Sequence, residues 1–131
     1  MSKLGCTCGH IICDQSDSLP YKGRVLKDQD HEAVLEGIAS DVASYIKSLL
    51  GKDKGEWIAQ SPWLQGKENG AVIWDIMIQY CLKYPVALYE CENCGRLWVQ
   101  KGVKSQDFVS YVPENPEIRA VLQSERHNRV E

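Results

Sequence analysis

Apolar residues recur at three- and four-residue steps between about Asp30 and Leu50, where Leu35, Ile38, Ala39, Val42, Ile46 and Leu49 share one face. The spacing predicts a long amphipathic helix, capped by Asp28 or Asp30 and closed at Gly51. Its opposite arc is small-sided, with Ala33, Gly37, Ser40, Ser44 and Ser48. A solvated face is the preferred reading of that arc; the alternative is close approach by another backbone. A second helix is expected over residues 71–84, ended by Pro85. Its polar residues form a single stripe, Asp75, Gln79 and Lys83, which predicts a central, largely buried helix. Between the two, residues 56–64 hold Trp57, Pro62 and Trp63 and are expected to open with a short helix.

The remaining segments read as strands: Ile11-Ile12-Cys13, Val25-Leu26, and the stretches 86–90, 96–100 and 108–112, the last ended by Pro113. Pro116 suits the first turn of a short C-terminal helix over 117–125. The resulting expectation is an α+β fold. A small antiparallel sheet with a ribbon-like hairpin packs against two main helices and the short C-terminal one. No domain boundary is evident, so residues 1–131 are read as one domain.

Composition narrows the function classes. A chain of 131 residues with 44% hydrophobic and 25% charged residues sustains a core without disulfides. No apolar run approaches the ~18 residues of a membrane span, and residues 1–10 lack the apolar core of a secretory signal. A reducing, cytoplasmic location follows as the expectation, in which six cysteines read as thiols or metal ligands. The formal charge of −3 disfavours long contacts with nucleic-acid phosphates.

The cysteines carry the chemistry. Cys91-Glu92-Asn93-Cys94-Gly95 places two thiols on one tight turn between strands, with a glycine free to take positive φ behind them. Zinc needs four tetrahedral donors, and Cys6-Thr7-Cys8-Gly9 supplies a second pair. One residue instead of two separates Cys6 from Cys8, so His10 remains an alternative nitrogen ligand and Cys13 a more distant one. The expected site is a zinc ion held by Cys6, Cys8, Cys91 and Cys94. Four thiolates leave no open position for water, so the metal is expected to be structural. Strand-like flanks and the acids Glu90 and Glu92 argue against a redox pair at Cys91 and Cys94. Cys81 and Cys13 read as small core residues.

No nucleophile elbow or phosphate-binding loop is present, and the three histidines have no evident catalytic companion, so the chain is expected not to be an enzyme. At Cys6-Thr7-Cys8-Gly9-His10 and Tyr89-Glu90-Cys91-Glu92-Asn93-Cys94-Gly95-Arg96 the sequence resembles a zinc ribbon. Its layout is similar to small bacterial immunity partners of polymorphic or contact-dependent toxins. That resemblance implies a protein that neutralises a toxin by binding it. The long helix carries Asp30, Glu32, Glu36 and Asp41 against Lys47, suited to a basic protein partner, with Glu32, Glu36 and Asp41 as the expected contact residues. The alternative is a zinc ribbon touching nucleic acid or a nucleic-acid enzyme through Arg96, Trp98 and Lys101.

Overall fold

The protein is described by a computed structural model that covers residues 3–50 and 68–128. The segment expected to hold Trp57, Pro62 and Trp63 lies outside the described residues. The chain divides into two compact units, Met1–Val25 with Pro85–Glu131, and Leu26–Tyr84. The α+β class and the antiparallel pairing are as the sequence implies: the strands fall in the first unit and the two long helices in the second.

The first unit holds two sheets. Strands β1 (Lys3–Gly5) and β2 (Ile11–Cys13) pair antiparallel, with Leu4 opposite Ile12. β1 was not evident from the sequence, because three residues with one apolar side chain show no alternation. The second sheet has the order β3 (Lys22–Val25), β4 (Val86–Glu90), β5 (Leu97–Gln100), β6 (Phe108–Tyr111), antiparallel throughout. Gly23 faces Leu88, Tyr89 faces Trp98, and Trp98 faces Ser110.

Gln100 sets the turn after β5. Its Nε2 donates to the carbonyls of Val103 (3.1 Å) and Ser105 (2.9 Å), and its Oε1 accepts from the Ala87 backbone N–H at 2.9 Å. The core of this unit is Cys6, Ile12, Tyr89 and Cys91, with Leu4, Tyr21, Ala87, Trp98 and Phe108 packed against it. Asp14, just past β2, ties the two sheets together. It accepts from Lys22 Nζ at 2.6 Å and from the Tyr89 hydroxyl. Although partial burial opposes it, those two donors hold the Asp14 carboxyl below its usual range. Burial, and then the hydrogen bond to Asp14, push the Tyr89 hydroxyl up.

In the second unit, α1 runs over Asp28–Leu50 and α2 over Asn69–Lys83. Two expectations need correction here. The buried residues of α1 are Val34, Tyr45 and Ser48, while Leu35 and Ile46 are exposed. At ~100° per residue these three positions are centred about 100° from the face the apolar pattern suggests, of which Val42 and Leu49 still pack against the Tyr45–Val72–Ile76 core. Tyr45 explains part of the shift, because its large ring and hydroxyl both find partners, the hydroxyl donating to Asn69 Oδ1. Gly37 and Ser48, taken from the small-sided arc, explain the rest. The Tyr80 ring fills the space beside Gly37, and the Ser48 hydroxyl closes on the Tyr45 carbonyl at 2.6 Å. Close approach thus applies to those two positions, whereas Ala33, Ser40 and Ser44 are exposed.

Nor is α2 largely buried. Val72 and Ile76 are, each contributing about 1.5–3 kcal/mol by burial. Trp74, Met77 and Leu82 are exposed. Cys81 is exposed as well and Cys13 is half-buried, so neither is the core residue expected of it. The C-terminal helix is α3, Glu125–Asn128, and residues 117–124 form turns instead. Ala120 has φ 61°, which a continuous helix does not allow. Among the described residues no helix is long and apolar enough to cross a membrane.

Candidate metal centre

Two tight turns build the site. The link from β1 to β2 folds back on itself: Gly9 N–H donates to the Cys6 carbonyl at 3.0 Å, and Cys6 N–H to the His10 carbonyl at 2.8 Å. The link from β4 to β5 repeats this arrangement, with Gly95 N–H on the Cys91 carbonyl (2.8 Å) and Cys91 N–H on the Arg96 carbonyl (2.9 Å). Each turn closes through a glycine at positive φ, 99° at Gly9 and 78° at Gly95, a conformation costly for side-chain-bearing residues. At Gly95 space is limiting too, since a Cβ would lie 2.8 Å from the Ile118 carbonyl oxygen. Sequence reasoning anticipated both glycines and the turn between strands.

The structure brings Cys6, Cys8, Cys91 and Cys94 together, with all four Sγ atoms within 4.8 Å of one another. Cys6 meets Cys94 at 3.6 Å and Cys8 meets Cys91 at 3.6 Å, so both close pairs cross from one turn to the other. Four sulfurs placed tetrahedrally about 2.3 Å from a shared centre lie about 3.8 Å apart. The two cross-turn pairs are close to that spacing and the other sulfurs lie within 4.8 Å, which is compatible with a four-coordinate metal. His10 gives its carbonyl to the Cys6 N–H, and neither its ring nor Cys13 belongs to the cluster.

Burial is graded across the site. Cys91 is wholly buried, Cys6 nearly so, Cys94 half-buried and Cys8 exposed. Desolvation pushes the Cys91 thiol up to about 12. The Asn93 side-chain amide, 3.4 Å from the Cys8 sulfur, and then the His10 backbone bring Cys8 down to about 6. Cys6 lies below its ordinary value: desolvation opposes this, but the Cys8 backbone and the Trp98 ring N–H outweigh it. Trp98 Nε1 is buried without a hydrogen-bond partner among the described residues. The Asn93 N–H aimed at the Cys8 sulfur suits a thiolate at that position.

A segment following β6 braces the second turn. Arg119 donates from Nη2 to the Asn93 carbonyl at 3.1 Å and from Nη1 to the Ile118 carbonyl at 2.9 Å. Asn93, Trp98 and Arg119 were not singled out as parts of the site by sequence. Their roles depend on contacts across the hairpin and from residues 25 or more positions away, which spacing does not reveal.

The expected partner-binding residues do not form one surface. Glu32 and Glu36 are exposed and four residues apart on α1. Asp41 is half-buried on another face and accepts from the Tyr80 hydroxyl at 2.7 Å. Arg96, Trp98 and Lys101 likewise do not make an exposed basic, aromatic patch. Trp98 packs on the core, Arg96 is half-buried and reaches Ser110 Oγ at 3.3 Å, and only Lys101 is exposed.

A family model described as a domain of unknown function (DUF8617) matches residues 2–115, a span that contains both cysteine turns. No curated protein and no solved structure matches the chain.

Proposed function

The chain belongs to that family of domains of unknown function, DUF8617, and we propose that it carries one structural zinc ion in a closed four-thiolate centre and acts as a binding module, not an enzyme. The observation that carries this reading is the convergence of four sulfurs within 4.8 Å of one another, from turns 82 residues apart (positions 9 to 90 lie between Cys8 and Cys91). Such a spread of donors makes the metal a staple between the β1–β2 and β4–β5 turns. With four thiolates around it, zinc has no position left to activate water. The sulfur-only donor set favours zinc over magnesium or calcium, which take oxygen ligands.

The test is elemental analysis joined to thiol titration of the full chain purified under reducing conditions. One zinc per chain is expected, with two thiols reacting at once and four only after a chelator removes the metal. Iron in place of zinc, or substoichiometric metal with cross-turn disulfides, overturns the assignment.

What the module binds is a finer question. Glu32 and Glu36, exposed one turn apart on α1, support an acidic surface for a basic protein partner. Asp41, bonded to Tyr80, is not part of that surface. The family description gives no activity, so the immunity reading rests on the sequence resemblance alone.

A further inference from the structure

Glu90 ends β4, one residue before Cys91, and is only 2% exposed. A carboxylate this deep ordinarily faces a cation or several N–H donors, because the loss of its water is otherwise strongly unfavourable. Among the described residues its side chain has one partner, the Leu122 backbone N–H, which donates to Oε1 at 3.3 Å. Among the described residues no ion pair reaches Glu90; the Lys22 ammonium pairs with Asp14 instead. Oε2 is thus without a donor, and Glu90 lines a cavity of about 170 Å³ with Pro20, Tyr21, Glu92 and Arg119.

The charges around that cavity do not cancel on Glu90. Arg119 borders it, but its guanidinium is held by the carbonyls of Pro116, Ile118 and Asn93. Glu92 adds a second carboxylate to the lining, while Tyr21 and Pro20 add apolar surface. The cavity therefore offers a carboxylate oxygen with no donor among the described residues, on a side chain only 2% exposed, beside apolar walls.

We propose that this cavity binds a primary ammonium on an unbranched alkyl stem, the chemistry shared by a lysine side chain and a free alkyl amine, with the ammonium meeting Glu90 Oε2. An ammonium suits the site better than a guanidinium. Oε1 already receives the Leu122 N–H, so the two-pronged fork of a guanidinium finds only one free oxygen, whereas a point charge needs no more. The stem lies along Tyr21 and Pro20, and Glu92 draws the cation to the mouth. The site includes none of the four cysteines, although Glu90 and Glu92 flank Cys91.

The Leu122 amide is a built-in reporter, since its hydrogen-bond acceptor is the carboxylate that would be engaged. The ¹⁵N-labelled full chain is titrated with Nα-acetyl-lysine amide, its Nε-acetylated form and n-butylamine, following the Leu122 signal by NMR. The lysine derivative is expected to shift Leu122 saturably and the neutral acetylated form not to. Binding of n-butylamine with equal strength assigns the site to alkyl amines in general. Weaker binding of n-butylamine assigns it to lysine within a peptide. Glu90→Gln keeps the acceptor for Leu122 but removes the charge, and should weaken binding at least tenfold with metal content unchanged. Equal response to the acetylated form, an unmoved Leu122 signal, or undiminished binding by E90Q overturns the proposal. Should E90Q not fold, the wild-type comparison of charged and neutral ligands decides alone. Because metal content is read on the same samples, failure here is distinguishable from failure of the zinc assignment.

Discussion

The Tyr80 ring occupies the space a side chain at Gly37 would need: a Cβ there would lie 2.7 Å from Cζ and 2.8 Å from the hydroxyl oxygen. The ring is not free to swing aside, because its hydroxyl is bonded to Asp41 at 2.7 Å. Gly37→Ala gains about 1 kcal/mol of helix propensity. Overpacking, typically 1–3 kcal/mol, and the loss of the Tyr80–Asp41 bond work against it. A net destabilisation of about 1–2 kcal/mol is expected in chemical denaturation, while Ser40→Ala on the exposed arc should change stability by less than about 0.5 kcal/mol. A neutral or stabilising Gly37→Ala would show that α1 and α2 do not meet here.

The same pair sets a pH dependence. Tyr80 is pushed from its ordinary 10 up to about 12, first by its bond to Asp41 and then by burial. A hydroxyl whose folded value is raised contributes stability fully present below pH 10 and lost as pH rises through about 12. The stability difference between the wild type and Tyr80→Phe should therefore shrink across that interval. In ultraviolet titration the phenolate absorbance missing from Tyr80→Phe should belong to a step near pH 12. A missing step near pH 10 would refute the coupling.

At the metal centre the cysteines separate into two groups. Cys91→Ser and Cys94→Ser are each expected to abolish stoichiometric zinc and to destabilise the sheet unit by several kcal/mol, since metal binding and folding are coupled there. Cys81→Ala, on the exposed side of α2, should retain full zinc content by elemental analysis. Metal loss in Cys81→Ala would contradict this division.

Asn93 tests the surroundings of the sulfurs. Its amide donates to Cys8, the most exposed of the four thiols, while Arg119 holds its backbone carbonyl. Asn93→Ala should keep one zinc per chain but release it to a chromophoric chelator about 10–100 times faster, the range typical of lost outer hydrogen bonds. Release at the wild-type rate would mean that the N–H contact does nothing for Cys8.

Sequence alone determined whatever depends on neighbouring residues. The paired Cys-Gly turns between strands were legible because tight turns need positive-φ glycine and zinc needs two close thiols per turn. Both long helices and most strands followed from periodicity and from Pro85 and Pro113 as stops. Tertiary structure alone decided which side of each element is buried and what surrounds the site. Apolar periodicity marked a face of α1 of which Val42 and Leu49 pack on the core while Leu35 and Ile46 are exposed, and Tyr45, Gly37 and Ser48 shift the buried side away from them. The reason is that a polar ring with hydrogen-bond partners and a close backbone approach outweigh the exposure of a few aliphatic side chains. Trp98, Asn93, Arg119 and the buried Glu90 acquired their surroundings only when strands and turns distant in the chain met, because hydrogen bonds across such separations leave no periodic trace.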